Sequence, residues 1–154
     1  MKIVNRLLDY SAKWELPDVY LFTGNSTVKN NGALVMGRGA AKQVRDSYPG
    51  IDKRFGTMLQ ARKDIKSNLP DPSLLWVDIH IYKYIGWFKV KEYWGNSAQL
   101  DLIETSMQAL NKLSHIYKQY TYHMNFPGIG NGKLKEADVM PILEQLPDNV
   151  LIYR

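Results

Sequence analysis

The chain has no cysteine, which rules out disulfides, thiolate metal sites and a cysteine nucleophile. It has no apolar run approaching the roughly 18 residues that a membrane-spanning helix needs. Its opening, Met1-Lys2-Ile3-Val4-Asn5-Arg6, lacks the sustained apolar stretch of an export signal. The expectation is a cytoplasmic protein with no membrane partner. No repeat, low-complexity tract or long linker breaks the sequence, so residues 1–154 are read as one domain. His80, His115 and His123 show no metal-ligand spacing. Neither a Ser-His-Asp order nor paired carboxylates stands out, so no metal and no cofactor is expected.

What is present is a mild basic excess, a net charge of +5 with a pI near 9.3. Such an excess suits an anionic partner such as a nucleotide, a phosphate or a nucleic acid. Spread along the chain as it is, it also suits simple solubility. Ten tyrosines and four tryptophans supply aromatic surface for stacking on a base or for filling a core.

Strand-like and helix-like segments alternate. Asp18 to Thr23 is β-branched and aromatic and ends at Gly24, the pattern of a buried strand. Gly39 to Tyr48 reads as a helix stopped by Pro49-Gly50, and Ile51 to Arg62 as a second. Lys66 to Ser73 holds two prolines and reads as a loop. Leu74 to Tyr82 is the strongest strand, with Tyr84 to Phe88 as a hairpin partner. Leu100, Ile103, Met107 and Leu110 predict an amphipathic helix over Ala98 to Leu113. A strand from Gln119 to Phe126, a helix from Lys135 to Leu146 and a strand from Asn149 to Tyr153 complete an α/β chain with a mixed sheet.

In such sheets ligands bind beyond the carboxyl ends of strands, where loops lead into helices. Two glycine-rich segments occupy that place. In the first, Met36-Gly37-Arg38-Gly39-Ala40 opens a helix, where glycines admit a phosphate close to the backbone and unpaired N–H groups face it. The dinucleotide fingerprint G-x-G-x-x-G is not met, because position 42 is Lys. The second, Phe126-Pro127-Gly128-Ile129-Gly130-Asn131-Gly132, places three glycines in five residues between a strand and a helix, as a phosphate nest does. Each loop alone is also the composition of a tight turn. Together they suit a pyrophosphate held from both sides.

These segments resemble the two ligand loops of macro domains, and most closely the branch that holds DNA-ADP-ribose glycohydrolases and the terminal ADP-ribose protein glycohydrolase. The resemblance rests on Val35 to Gln43 ending at Tyr48-Pro49-Gly50, on Phe126 to Gly132 running to Val139-Met140-Pro141, on Thr23-Gly24-Asn25, and on Trp94-Gly95-Asn96-Ser97 before Leu100 to Ile103. It implies a three-layer α/β/α sandwich with a central mixed sheet, and ADP-ribose or a related nucleotide as the partner, free or attached to a protein or nucleic acid. The implied ligand contacts are Asp9 at the adenine amine, Asn25 at the distal ribose, and Met36, Gly37, Arg38, Gly39 and Ala40 with Gly128, Ile129, Gly130, Asn131 and Gly132 around the phosphates. Asp9 reads equally as a turn cap, Asn25 as a turn residue, and Phe126 and Tyr153 as adenine stackers or core.

Whether the chain processes its ligand is a separate question. Hydrolytic members of the branch pair a basic residue with an acid after the second loop. Alignment puts the basic position at or near Arg45, with Lys42 one turn earlier, and puts Lys135 where the acid belongs. Glu136 is expected to point elsewhere by helical spacing, and Asp138 reads as a solvated face. A second enzymatic reading is removal of the terminal phosphate of ADP-ribose 1″-phosphate. There Arg38 and Lys133 would bind the extra phosphate and Asn131 would orient water. Asn131, Lys42 and Asn25 are thus the candidate catalytic residues. From another class comes a single-stranded nucleic-acid module, resting on the interleaved lysines and aromatics of Tyr82 to Trp94. The same segment reads as a hairpin with exposed lysines and buried aromatics. A protein-docking patch around Trp87 and Trp94 is a third possibility.

Overall fold

Along the strand Asp18–Gly24, Leu21 and Phe22 are both fully buried, which only a sheet covered on two faces permits. The structure is a computed structural model that describes residues 1–12, 17–64, 74–80 and 83–154. The expected loop from Lys66 to Ser73 lies outside the described residues.

Among the described residues six strands form one sheet: β1 (Lys2–Val4), β2 (Asp18–Gly24), β3 (Leu74–His80), β4 (Lys83–Lys89), β5 (Thr121–Asn125) and β6 (Val150–Tyr153). Their order is β1-β6-β5-β2-β4-β3. All neighbours run parallel except the β3–β4 pair, which is antiparallel. The expected mixed sheet is therefore present, with its antiparallel member at one edge. At the other edge β1 is a strand of only three residues, read from sequence as a polar beginning. Its register against β6 pairs Ile3 with Ile152.

Helices α1 (Gly39–Ser47) and α2 (Ile51–Asp64) cover one face, and α3 (Leu100–Ile116) and α4 (Glu136–Leu143) the other. One core joins Phe22, Ile85 and Trp87 to Val44 of α1 and Phe55 of α2. The other joins Leu21, Phe88 and Met124 to Ile103 and Met107 of α3 and Val139 of α4. Leu100, counted in the apolar stripe of α3, is 39% exposed, so the stripe begins at Ile103.

The α1/α2 layer also carries the first glycine loop. Leu34 N donates to the Asp52 carbonyl at 2.9 Å, and Gly56 sits so close to the loop's base that an added Cβ would lie 1.9 Å from the Gly32 carbonyl oxygen. That neighbour is backbone and cannot rotate away. Gly56→Ala is expected to cost about 2–3 kcal/mol, read as a lowered melting temperature and denaturant midpoint. An unchanged midpoint would mean that α2 and the loop are not in fixed contact.

Candidate functional site

The parallel strands β2, β4, β5 and β6 end on one rim, and the segments leaving them enclose a cleft of about 1110 Å³. Three walls form it. The first is the loop after β2 that enters α1, the second the turn after β5, and the third the segment after β4, where Lys91, Trp94, Gly95 and Asn96 line the space.

The first wall is built on Asn25. Its side chain is buried, its Nδ2 donates to the Val35 carbonyl at 3.0 Å, and its Oδ1 accepts from Thr27 N at 2.9 Å. The side chain thus ties the end of β2 to the loop and is already committed to two backbone partners. Gly37, Arg38, Gly39 and Ala40 follow along the cleft. Arg38 is the N-cap of α1 and its side chain makes no capping bond; the helix starts on the cleft wall at Gly39, Ala40 and Ala41, where its first N–H groups carry partial positive charge. Gly39 has φ +57°, and a Cβ there would lie 3.3 Å from Asn131 Nδ2. The two glycine loops therefore meet across that point.

The second wall is a tight turn. Leu134 N donates to the Gly128 carbonyl at 2.9 Å, and the turn Gly130–Gly132 lies between them. Gly128 has φ +80°, and a Cβ there would strike Ile103 Cδ1 at 2.7 Å. Glycine is needed at that position for both reasons. Lys133 has φ +62° and is the single non-glycine with positive φ among the described residues. That conformation costs about 1 kcal/mol or more, and it places another cation on the cleft wall.

Charge in the cleft is lopsided. Lys29, Arg38, Lys91, Lys133 and Arg154 line it with one carboxylate among the described residues, Glu136, which is itself paired with Arg154. Lys91 Nζ donates to the Asn96 carbonyl at 3.0 Å. Burial, with the nearby charges of Arg38 and Lys133, holds its pKa below the ordinary lysine value.

The cleft brings together Asn25, Gly37, Arg38, Gly39, Ala40, Gly128, Ile129, Gly130, Asn131 and Gly132. Three other candidates lie elsewhere. Met36 is buried in the α1/α2 core. Lys42 pairs with Asp46, which Arg45 also contacts, on the outer face of α1. Asp9 accepts from Ser11 N at 2.9 Å and from its hydroxyl at 2.6 Å, and it borders a shallow hollow beyond Leu7. Those bonds hold its pKa below the usual carboxylate value. Glu136, expected to face away, is on the cleft wall because α4 begins there. The reading of Tyr82 to Trp94 as a hairpin with exposed lysines is corrected at Lys89, which is 3% exposed, while Lys91 borders the cleft. Lys91 and Arg154 were missed. The signal for Lys91 was its position just past the carboxyl end of a strand parallel to β2.

Tyr153 lines the cleft at the end of β6. His123 holds it from behind, with Nδ1 2.7 Å from the Tyr153 hydroxyl and Nε2 2.7 Å from Asp18 Oδ1. Among the described residues no cluster of His, Asp and Glu is suited to a metal ion, and no helix is long and apolar enough to cross a membrane.

The layer order, the parallel strands and the rim of glycine loops define the macrodomain fold. The macrodomain of Mycobacterium tuberculosis DarG superimposes with a TM-score of 0.73 at 22% identity, over 98% of this chain and 96% of that one. The macrodomain of Thermus aquaticus DarG gives 0.73 at 18% identity, over 99% and 95%. Thermosipho africanus DarTG, solved in complex with ADP-ribose, gives 0.68 at 19% identity, over 88% of this chain and 37% of that one. No family model matches the chain, and no curated protein sequence does.

Proposed function

We propose that this protein binds ADP-ribose, free or as the modification on a larger molecule, with the pyrophosphate between the two glycine loops. The observation that carries the reading is their convergence: Gly39 and Asn131 meet over a cleft whose cations, among the described residues, outnumber its carboxylates. An uncapped helix start and a glycine turn both offer N–H groups to phosphate oxygens. The solved DarTG complex with ADP-ribose supports the choice of nucleotide. In this arrangement Gly37 to Ala40 take one phosphate and the distal ribose, Gly128 to Gly132 the other, and Asn125 and Tyr153 border the adenosine end.

Calorimetric titration tests it. ADP-ribose should bind one to one at micromolar concentration or tighter, with AMP and ribose phosphate much weaker. No heat and no competition at millimolar ligand would defeat the reading. Affinity should also fall as pH rises through the Lys91 midpoint, which lies below the ordinary lysine value. The ammonium attracts pyrophosphate and the neutral amine does not. A flat affinity up to pH ~10 would remove Lys91 from the binding site.

One observation favours processing as well as binding. The amine of Lys91, on the cleft wall, is held below its ordinary pKa, and a lysine with a depressed pKa can act as a nucleophile. Its Nζ would attack the anomeric carbon of the distal ribose. The bond from that carbon to the leaving group breaks, the leaving group departs with the electron pair and takes the proton that the attacking ammonium gives up, and water then adds at the same carbon as the bond to Nζ breaks, releasing ADP-ribose and the amine. Glu136, a carboxylate tied to Arg154, also lines the cleft. Lys42, on the outer face, has no part in this route, while Asn131 at the loop junction would orient the reacting groups.

A further inference from the structure

Lys89 is a charged residue in a place that ordinarily rejects one. It closes β4 with its side chain 3% exposed, and a buried ammonium is tolerated only when paired and hydrogen-bonded. Its partner is Glu92, with Nζ 2.8 Å from Oε1. The other carboxylate oxygen, Oε2, accepts from the Ser26 hydroxyl at 2.8 Å. The Glu92 carbonyl accepts from Ser26 N at 2.9 Å and from the Thr27 hydroxyl at 3.2 Å. Trp94 N in turn donates to Thr27 Oγ1 at 3.0 Å. The buried Ser106 hydroxyl of α3 holds the Lys89 carbonyl at 2.7 Å. Glu92 is thus gripped at carboxylate and backbone by the two residues that follow Asn25, and by Lys89 from below.

Between the two lies Lys91, whose ammonium lines the cleft on the Asn96 carbonyl. The charged groups around it are Arg38 at the start of α1, Lys133 in the second loop, Lys29 in the first, and the Glu136–Arg154 pair at α4. Glu92 is the nearest carboxylate in sequence. Free to turn, it would neutralise Lys91 and compete with an anionic ligand for it. We propose that Lys89 is a positioning residue: its buried ammonium captures Glu92 and keeps that carboxylate off Lys91, so that Lys91 meets the ligand with no carboxylate partner among the described residues while the third wall stays fixed to the first. The depressed pKa of Lys91 agrees with the geometry, since its causes are burial, Arg38 and Lys133, with no carboxylate among them.

This inference rests on Lys91 facing the ligand, but its test needs no ligand. Trace acetic anhydride labels each lysine in proportion to its neutral fraction, and mass spectrometry of the Lys91 peptide across pH gives that residue's midpoint. In the wild-type protein the midpoint should fall below that of the exposed lysines. In Lys89→Met it should rise by about one pH unit, the usual effect of a carboxylate within a few ångströms. In the double variant Lys89→Met/Glu92→Gln it should return to the wild-type value, a rescue that a merely structural role for Lys89 would not produce. An unchanged midpoint in a folded Lys89→Met protein overturns the proposal, and so does a double variant that stays high. Should Lys89→Met not fold, Ser26→Ala loosens the same carboxylate without stranding a charge. It should raise the midpoint by a smaller amount, and no rise there is equally fatal. ADP-ribose titration of the same proteins is independent: absent wild-type binding with the expected midpoints defeats the nucleotide reading and leaves the latch standing.

Discussion

Gly37→Val is expected to leave the melting temperature unchanged and to weaken ADP-ribose binding by at least about 100-fold, roughly 3 kcal/mol. The two halves of that result have separate causes. Gly37 does not have a positive φ, and a Cβ built there meets no atom within 4 Å, so the empty protein accepts the side chain. The same open space is where a phosphate must approach the N–H groups at the start of α1, and three added carbons fill it. Gly128→Val makes the contrast. With φ +80° and Ile103 at 2.7 Å it should destabilise the protein itself, so that any loss of binding accompanies a lowered melting temperature. Binding by Gly37→Val at wild-type strength would mean that the first loop is an ordinary turn and that the pyrophosphate, if bound at all, lies elsewhere.

The contrast between these glycines shows how far a sequence can be read. Both loops were legible as a pair, because each alone has the composition of a tight turn while their order along the chain matched a known fold. Local spacing could not tell which glycine the packing requires and which stands in open space, since at Gly128 that depends on Ile103, 25 residues earlier in the chain. Strand and helix positions followed from alternation and periodicity, and the strand overlooked among the described residues was β1, three residues held at the sheet edge by pairing with β6. Asn25 lines the cleft as its place after a strand suggested, but its commitment to Val35 and Thr27 is a tertiary fact. Lys91 was hidden by a competing pattern. Lysines interleaved with aromatics read as the outer face of a hairpin. β4, however, is parallel to β2 on its other side, so its carboxyl end joins the rim and the lysine just past it turns into the cleft. Lys42 and Arg45 attracted attention as basic residues in the first helix, and the turn of α1 places both beside Asp46.

The second large effect concerns that lysine. Incubation with ADP-ribose and borohydride is expected to attach one ADP-ribosyl unit to the wild-type protein at Lys91, and Lys91→Met is expected to abolish the adduct. Free ADP-ribose opens to an aldehyde at its distal ribose. The neutral amine adds to that carbon, water leaves to give an imine, and hydride from borohydride adds to the imine carbon and fixes the bond. Every lysine can do this slowly. Lys91 should do it faster because the cleft holds the sugar beside it and because burial, Arg38 and Lys133 keep a larger share of its amine neutral at a given pH. Capture should therefore rise with pH through the same midpoint at which non-covalent affinity falls, since the neutral form reacts and the charged form attracts phosphate. AMP should suppress it by occupying the adenosine end. Lys91→Arg separates the two roles, for guanidinium retains the charge and cannot add to the aldehyde: it should bind ADP-ribose nearly as the wild type does and yield no adduct. Labelling spread evenly over the exposed lysines, or an adduct that survives in Lys91→Met, would leave a protein that holds its nucleotide without attacking it.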